Sequence, residues 1–239
     1  MLDYNSMKLT IGAGISMYND RRSLIRCIDS IYGNVDYVLI VDGKYSYNTY
    51  NEEPLSTDGS REYIRDKAMN FDGQGLFLID APNLTEAKKR QVYIDLTKDY
   101  GIDVLLILDS DEYVYACDWV KFRAECYQKM IVRDKMLWRI YNIGFREPFD
   151  RPRLWFKAYE IQVGPTHYDF SLKSDPECKE INLGGDTIHL IGNIVISHKH
   201  DLRTADSIFA REQWEKAQQR AEDARRLELR QHMIASRHS

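Results

Sequence analysis

The chain has no apolar run near the ~20 residues that a membrane-crossing helix needs, and residues 1–8 lack the basic-then-apolar layout of a secretory leader. Cysteine is sparse. Cys27, Cys117, Cys126 and Cys178 form no CxxC pair, so neither a disulfide framework nor a zinc knuckle is expected, and a cytoplasmic protein with reduced thiols is. Charge of one sign is lacking too: 33 Lys and Arg against 37 Asp and Glu leave a formal net charge of −4. That removes bulk attraction to nucleic acid and confines any anion site to a local cluster. No internal repeat or low-complexity linker divides the chain. At 239 residues it is long enough to bury a core without a structural metal.

What is present is an alternation of two periodicities. Residues 8–15 form a short β-prone run, followed by Leu24, Cys27, Ile28 and Ile31 on one helical face. Residues 37–41 read as a buried strand; Thr57 or Asp58 is placed to cap a helix with Ile64, Ala68 and Phe71 inward, and 76–79 is strand again. Residues 84–100 read as a helix ended by Gly101. The five aliphatic residues 104–108 have the pattern of a central parallel strand covered on both faces. The expected class is therefore α/β, a mostly parallel central sheet flanked by helices. Beyond Met130, β-prone segments at 136–143, 154–163 and 187–197 are separated by Pro, Gly and Asp clusters, so a more antiparallel second half is expected. Ala210, Trp214, Ala217, Ala221 and Ala224 then make a narrow stripe on a charged C-terminal helix, a surface for the domain itself or for a homo-oligomer.

In open parallel sheets ligands bind outside the carboxyl ends of the strands. The polar residues there are Ser16, Tyr18 and Asn19 after the first strand, Asp42 after the second, and Asp109-Ser110-Asp111-Glu112 after 104–108. Two carboxylates one residue apart suit a hard cation, Mn²⁺ or Mg²⁺, which takes oxygen ligands and commonly shares them with substrate phosphates. Lys88, Lys89 and Arg90 precede that strand on a helix, and His198 and His200 alternate so that both point to one face of a late strand.

Residues 9–113 resemble glycosyltransferase family 2, whose members have the GT-A fold. The resemblance lies in Tyr18-Asn19-Asp20, in Val41-Asp42-Gly43, and in Ser56-Thr57-Asp58-Gly59-Ser60-Arg61-Glu62. Ala87-Lys88-Lys89-Arg90-Gln91 and Leu108-Asp109-Ser110-Asp111-Glu112 continue it. It implies a metal-dependent transferase that moves a sugar from a UDP- or GDP-sugar to a hydroxyl of a glycan, lipid-linked or small-molecule acceptor, with inversion at the anomeric carbon. It further implies that Asp42 recognises the base with Tyr18 nearby, that Asp109 contacts ribose or metal, and that Asp111 ligates the metal. Lys88 and Arg90 would meet the donor phosphates and His198 would complete the metal site. Residues 1–200 would then be one GT-A-like domain, 8–113 for the nucleotide sugar and 114–200 for the acceptor, with a helical tail at 201–239.

The sequence departs from the family at four places. Gly43 stands where a second carboxylate is frequent, and Gln91 where Asn is. Residues 44–55, rich in Tyr and Asn, are inserted between the two halves of the second-strand motif. His167-Tyr168-Asp169 replaces a His-Glu pair, which makes Asp169 the candidate general base, with Glu147, Asp150 and Glu160 competing. Trp155 is a candidate for stacking on a sugar or base. The rival readings are a sugar-phosphate nucleotidyltransferase, for which Gly12-Ala13-Gly14 is too short and early a phosphate loop, and a catalytically silent nucleotide- or glycan-binding protein.

Overall fold

A computed structural model describes residues 9–48, 53–71, 73, 75–132, 140–145, 152–164, 170–173, 191–198 and 216. Chain order is β1 (Ile11–Met17), α1 (Arg21–Ile31), β2 (Tyr37–Asp42), α2 (Ser60–Met69), β3 (Gly75–Asp80), α3 (Glu86–Asp99) and β4 (Val104–Asp109). Then follow β5 (Glu112–Cys117), α4 (Trp119–Val132), β6 (Ile140–Phe145), β7 (Pro152–Phe156), a 3-10 turn (Ala158–Glu160), β8 (Ile161–Val163), β9 (Phe170–Leu172) and β10 (Ile191–His198).

Eight strands form one sheet in the order β3-β2-β1-β4-β7-β6-β10-β5, and β8 and β9 pair separately. The first four strands are mutually parallel, and β7 is antiparallel to β4 and to β6. β10 is parallel to β6 and antiparallel to β5, so this is the expected α/β architecture with a more antiparallel second half. Residues 201–239, with the alanine stripe, lie outside the described residues save Lys216, which is helical and exposed.

The two faces of the sheet bury different sets of residues. Ile11, Ala13, Ile15 and Met17 of β1 pack with Leu24, Cys27, Ile28 and Ile31 of α1, Ile64 of α2 and Phe122 of α4. Leu39 and Val41 of β2 and Leu105 and Ile107 of β4 pack on the other face with Ala87, Tyr93 and Ile94 of α3. Alternation puts Gly12 and Gly14 on the α3 face. A Cβ on Gly14 would lie 2.5 Å from the Tyr93 ring and one on Gly12 would lie 2.7 Å from Ile102. Gly14 admits α3 to the sheet and Gly12 admits Ile102, which follows that helix; they are not a phosphate loop.

Helix starts are fixed by side chains. Thr85 caps α3, its hydroxyl accepting from Lys88 N. Asp58 serves two helices, one carboxylate oxygen accepting from Arg21 N at 2.7 Å and the other from Ser60 N at 3.1 Å. Ile64 faces inward as expected and Phe71, just beyond the helix end, packs against the same core, whereas Ala68 is exposed. Gly101 takes φ +61 after α3, the left-handed conformation expected of it.

Candidate active site

β1 has β2 on one side and β4 on the other, so the order of the parallel strands reverses between β1 and β4. A crevice opens at the carboxyl ends of strands at such a switch point. Ser16 lies there, within β1, in register with Asp109 on β4 and Val41 on β2. It is 4% exposed and its Oγ has no hydrogen-bond partner among the described residues.

The turn from β4 into β5 is only Ser110 and Asp111, and it is stapled from both sides. Glu112, fully buried, accepts from Asp109 N at 2.8 Å, and Ser110 Oγ donates to Asp20 at 2.6 Å. Arg90 donates to Asp109 at 2.7 Å and to Glu86 at 2.8 Å. Burial works against the Arg90 charge, yet the Asp109 and Glu86 carboxylates outweigh it and hold the guanidinium well above its ordinary value. Asp111 is buried, whereas the Asp109 side chain keeps 29% of its surface. Beneath the turn, Cys27 Sγ donates to Asp109 O at 3.7 Å. Burial first, then the charges of Glu112, Asp111 and Asp109, push this thiol up. Negative charge thus converges on the turn, and Cys27 is an inert thiol.

At the end of β2 the structure rejoins what the insertion separates. Asp42 is fully buried; Ser56 Oγ donates to one of its oxygens at 2.6 Å, and Ser56 N and Arg61 donate to the other at 3.1 and 2.6 Å. Asn19, at φ 51, donates its amide to Ser56 Oγ, and its side-chain oxygen accepts from Thr57 N. Tyr18 hydroxyl donates to Glu53 O at 2.7 Å. Asp42, to which the resemblance assigns base recognition, here orders the residues that return from the insertion.

The family departures also find local causes. A Cβ at Gly43, which has φ +149, would lie 2.7 Å from the Pro82 backbone, so no acidic side chain fits there. Gln91 acts like a stretch of backbone: its oxygen accepts from Val163 N at 2.8 Å and its amide donates to Ile161 O at 3.3 Å, pinning β8 to α3. Trp155 is 1% exposed in the core and is not a stacking surface.

On α3 the residue that sequence reasoning passed over is Lys89. Lys88 is exposed, whereas Lys89 is fully buried and donates to Met17 O at 3.1 Å and to Gly43 O, joining the ends of β1 and β2. Burial pulls its pKa down to about 7, with Asp42, Glu86 and Asp20 opposing. The signal was in the helix period: Lys89 and Arg90 fall on the stripe shared by Tyr93, Ile94 and Thr97, and Lys88 falls off it.

Six carboxylates around the crevice, Asp20, Asp42, Glu86, Asp109, Asp111 and Glu112, stand against three cations, Arg61, Lys89 and Arg90. Among the described residues no group of three or more His, Cys, Asp or Glu is placed to hold a metal by itself. Asp109 and Asp111 nevertheless fit the oxygen-donor share that protein gives to Mg²⁺ or Mn²⁺ when substrate phosphates supply further ligands. His198 closes β10 in register with Glu112, next to that turn. Glu160 ends the 3-10 turn before β8. Asp169, His200, Glu147 and Asp150 lie outside the described residues.

Fold and site together define an α/β protein with an acidic crevice at the switch point of its mostly parallel sheet. No protein-family model matches the chain, and the search of curated proteins finds no match. Among solved structures it is similar to S. aureus TarS 1-349 in complex with UDP (13% identity, TM-score 0.37, 57% of this chain and 35% of that one). It is also similar to the Pyrobaculum calidifontis mannosyltransferase PcManGT in complex with GDP-Man and Mn²⁺ (14%, TM-score 0.39, 59% and 36%). A third likeness is to 4-diphosphocytidyl-2C-methyl-D-erythritol synthase from Anaerococcus prevotii (11%, TM-score 0.43, 87% and 96%). The chain thus spans about a third of TarS 1-349 and of the mannosyltransferase. At these identities and TM-scores the likenesses assign no activity.

Proposed function

We propose that the chain binds a nucleoside diphosphate sugar, a UDP- or GDP-sugar, and transfers the sugar to a hydroxyl acceptor. The observation that carries this reading is the pairing of Ser16 and Asp109 across the switch point. A buried hydroxyl without a partner among the described residues and a partly exposed carboxylate meet there, beside a second carboxylate two residues on. An unsatisfied buried hydroxyl costs free energy, and a polar ligand relieves it. The excess of carboxylates over cations favours a ligand that arrives with a divalent cation.

In this reading Asp109 and Asp111, with His198 at the neighbouring strand end, hold Mn²⁺ or Mg²⁺. When bound, the ion supplies Lewis-acid stabilisation of the departing diphosphate. Arg90 keeps Asp109 in one orientation, Glu112 fixes its backbone, and Ser16 and Tyr18 border the donor. Asp169 is the proposed general base toward the acceptor hydroxyl, with inversion as the expected outcome. The nucleotidyltransferase alternative is disfavoured by Gly12 and Gly14, whose lack of a side chain serves Ile102 and Tyr93.

Thermal melts with UDP, GDP, UDP-glucose and GDP-mannose, each with and without Mn²⁺, test the donor site. A nucleotide at 100 times its Kd adds about 2.7 kcal/mol, several degrees in a chain of this size. The expected result is a shift that needs metal and is lost in Asp111→Asn. If no nucleotide moves the melt of the wild type, the donor site is wrongly placed. Release of the nucleoside diphosphate with Mn²⁺ present separates a transferase from a silent binding protein.

A further inference from the structure

The described ends of the insertion, 44–48 and 53–55, are tied to each other and to their surroundings. Lys44 N donates to Pro54 O at 2.8 Å and joins its ends. Asn83 N donates to Lys44 O at 2.7 Å and Ser46 N to Leu84 O at 3.0 Å, tying the outgoing half to the segment before α3. Tyr18 hydroxyl ties the returning half to the end of β1 through Glu53 O. Tyr45 bridges to Leu84, and its ring stacks on Tyr47 with centroids 5.3 Å apart and planes 7° from parallel. Lys89 Nζ lies 3.7 Å from the Tyr45 ring centroid.

We propose that Lys89 is a positioning residue that latches the outgoing half of this insertion: its ammonium, seated on the Met17 and Gly43 carbonyls, grips the face of Tyr45 and holds residues 44–48 as one wall of the crevice. An ammonium taken wholly out of water persists only where dipoles replace its hydration. Two carbonyl oxygens and the negative face of an aromatic ring do that here. Among the described residues its hydrogen bonds go to those carbonyls and to no carboxylate. The charged groups facing it are Asp20 after β1, Asp42 of β2 and Glu86 of α3, all favouring the ammonium. Carboxylates act on Tyr45 as well. Burial, Tyr47 and the charges of Glu86, Asp109 and Asp20 push its phenol up. Near neutral pH Lys89 lies in its titration range, and the neutral amine keeps its hydrogen bonds while losing attraction to the ring. The latch therefore loosens as pH rises through about 7. That the crevice is the donor site rests on the reading above; the latch itself does not.

Amide hydrogen exchange on the full chain without nucleotide tests it. At pH 6 the Lys44 and Ser46 amides are expected to exchange at least tenfold faster in Lys89→Met and in Tyr45→Leu, with β2 amides unchanged. In the wild type their protection, corrected for intrinsic rates, falls between pH 6 and 8, and in Lys89→Met it is flat. Unchanged protection of Ser46 in both folded variants overturns the latch. Should Lys89→Met not fold, Tyr45→Leu, which leaves the ammonium in place, decides. For a nucleotide that stabilises the wild type, Lys89→Met weakens Kd at least fivefold, and an unchanged Kd removes the wall role. If no nucleotide binds at all, the donor-site reading fails and the exchange result stands by itself.

Discussion

Single side chains here often hold together segments far apart in sequence. Asp58 links the starts of α1 and α2 through its two oxygens. Asp58→Ala is expected to lower stability by about 1–2 kcal/mol, the range for a lost helix cap, and urea melts with an unchanged slope check it. The sequence placed the cap of α2 at Thr57 or Asp58; the structure puts it at Gly59, with Asp58 just before it accepting from Ser60 N, and the bond of Asp58 to Arg21 N left no local trace, because nothing announces a partner 37 residues away. The same limit explains Asp42. The resemblance marked it as a ligand contact, while its bonds to Ser56 and Arg61 depend on how an insertion returns. The choice between Lys88 and Lys89 was within reach, because α3 turns 100° per residue and only one of them shares the buried stripe.

At the scale of elements, the sequence pattern reported most where burial is one-sided or complete. The α1 face of Leu24, Cys27, Ile28 and Ile31 and the strand at 104–108 emerge as expected, since apolar spacing directly encodes which surface loses water. The contact between α3 and β1 was hidden, because its determinant is the absence of a side chain at Gly14. Gly14→Ala is predicted to cost about 1–3 kcal/mol through a clash with the buried Tyr93 ring, seen as a Tm lowered by several degrees. Restoration by Tyr93→Leu in the same chain would identify the clash as the cause. Strands β6, β7 and β10 were located roughly but not ordered, since pairing between residues 112–117 and 191–198 leaves no local trace.

For the molecule as a whole, Lys89 makes stability depend on pH. Its pKa is about 7 in the folded chain and near 10.5 in the unfolded one, so between those values the unfolded state binds more protons. Stability then rises with pH above about 7, while below it both states carry the charge and the full burial penalty remains. Urea melts from pH 6 to 9 are expected to show this rise and Lys89→Met to remove it. A wild-type slope that survives the substitution would assign the effect to another group. Sheet order carries a further consequence, for the time course of folding. Strand β10 lies between β5 and β6, although it follows them by dozens of residues. The parallel strands β1 to β4 pair among themselves, but β5 and β6 keep open edges until residues 191–198 slide between them. A chain still on the ribosome, or cut short before that segment, therefore presents β5 without its sheet partner and β6 with one open edge, and aggregation competes with the last insertion.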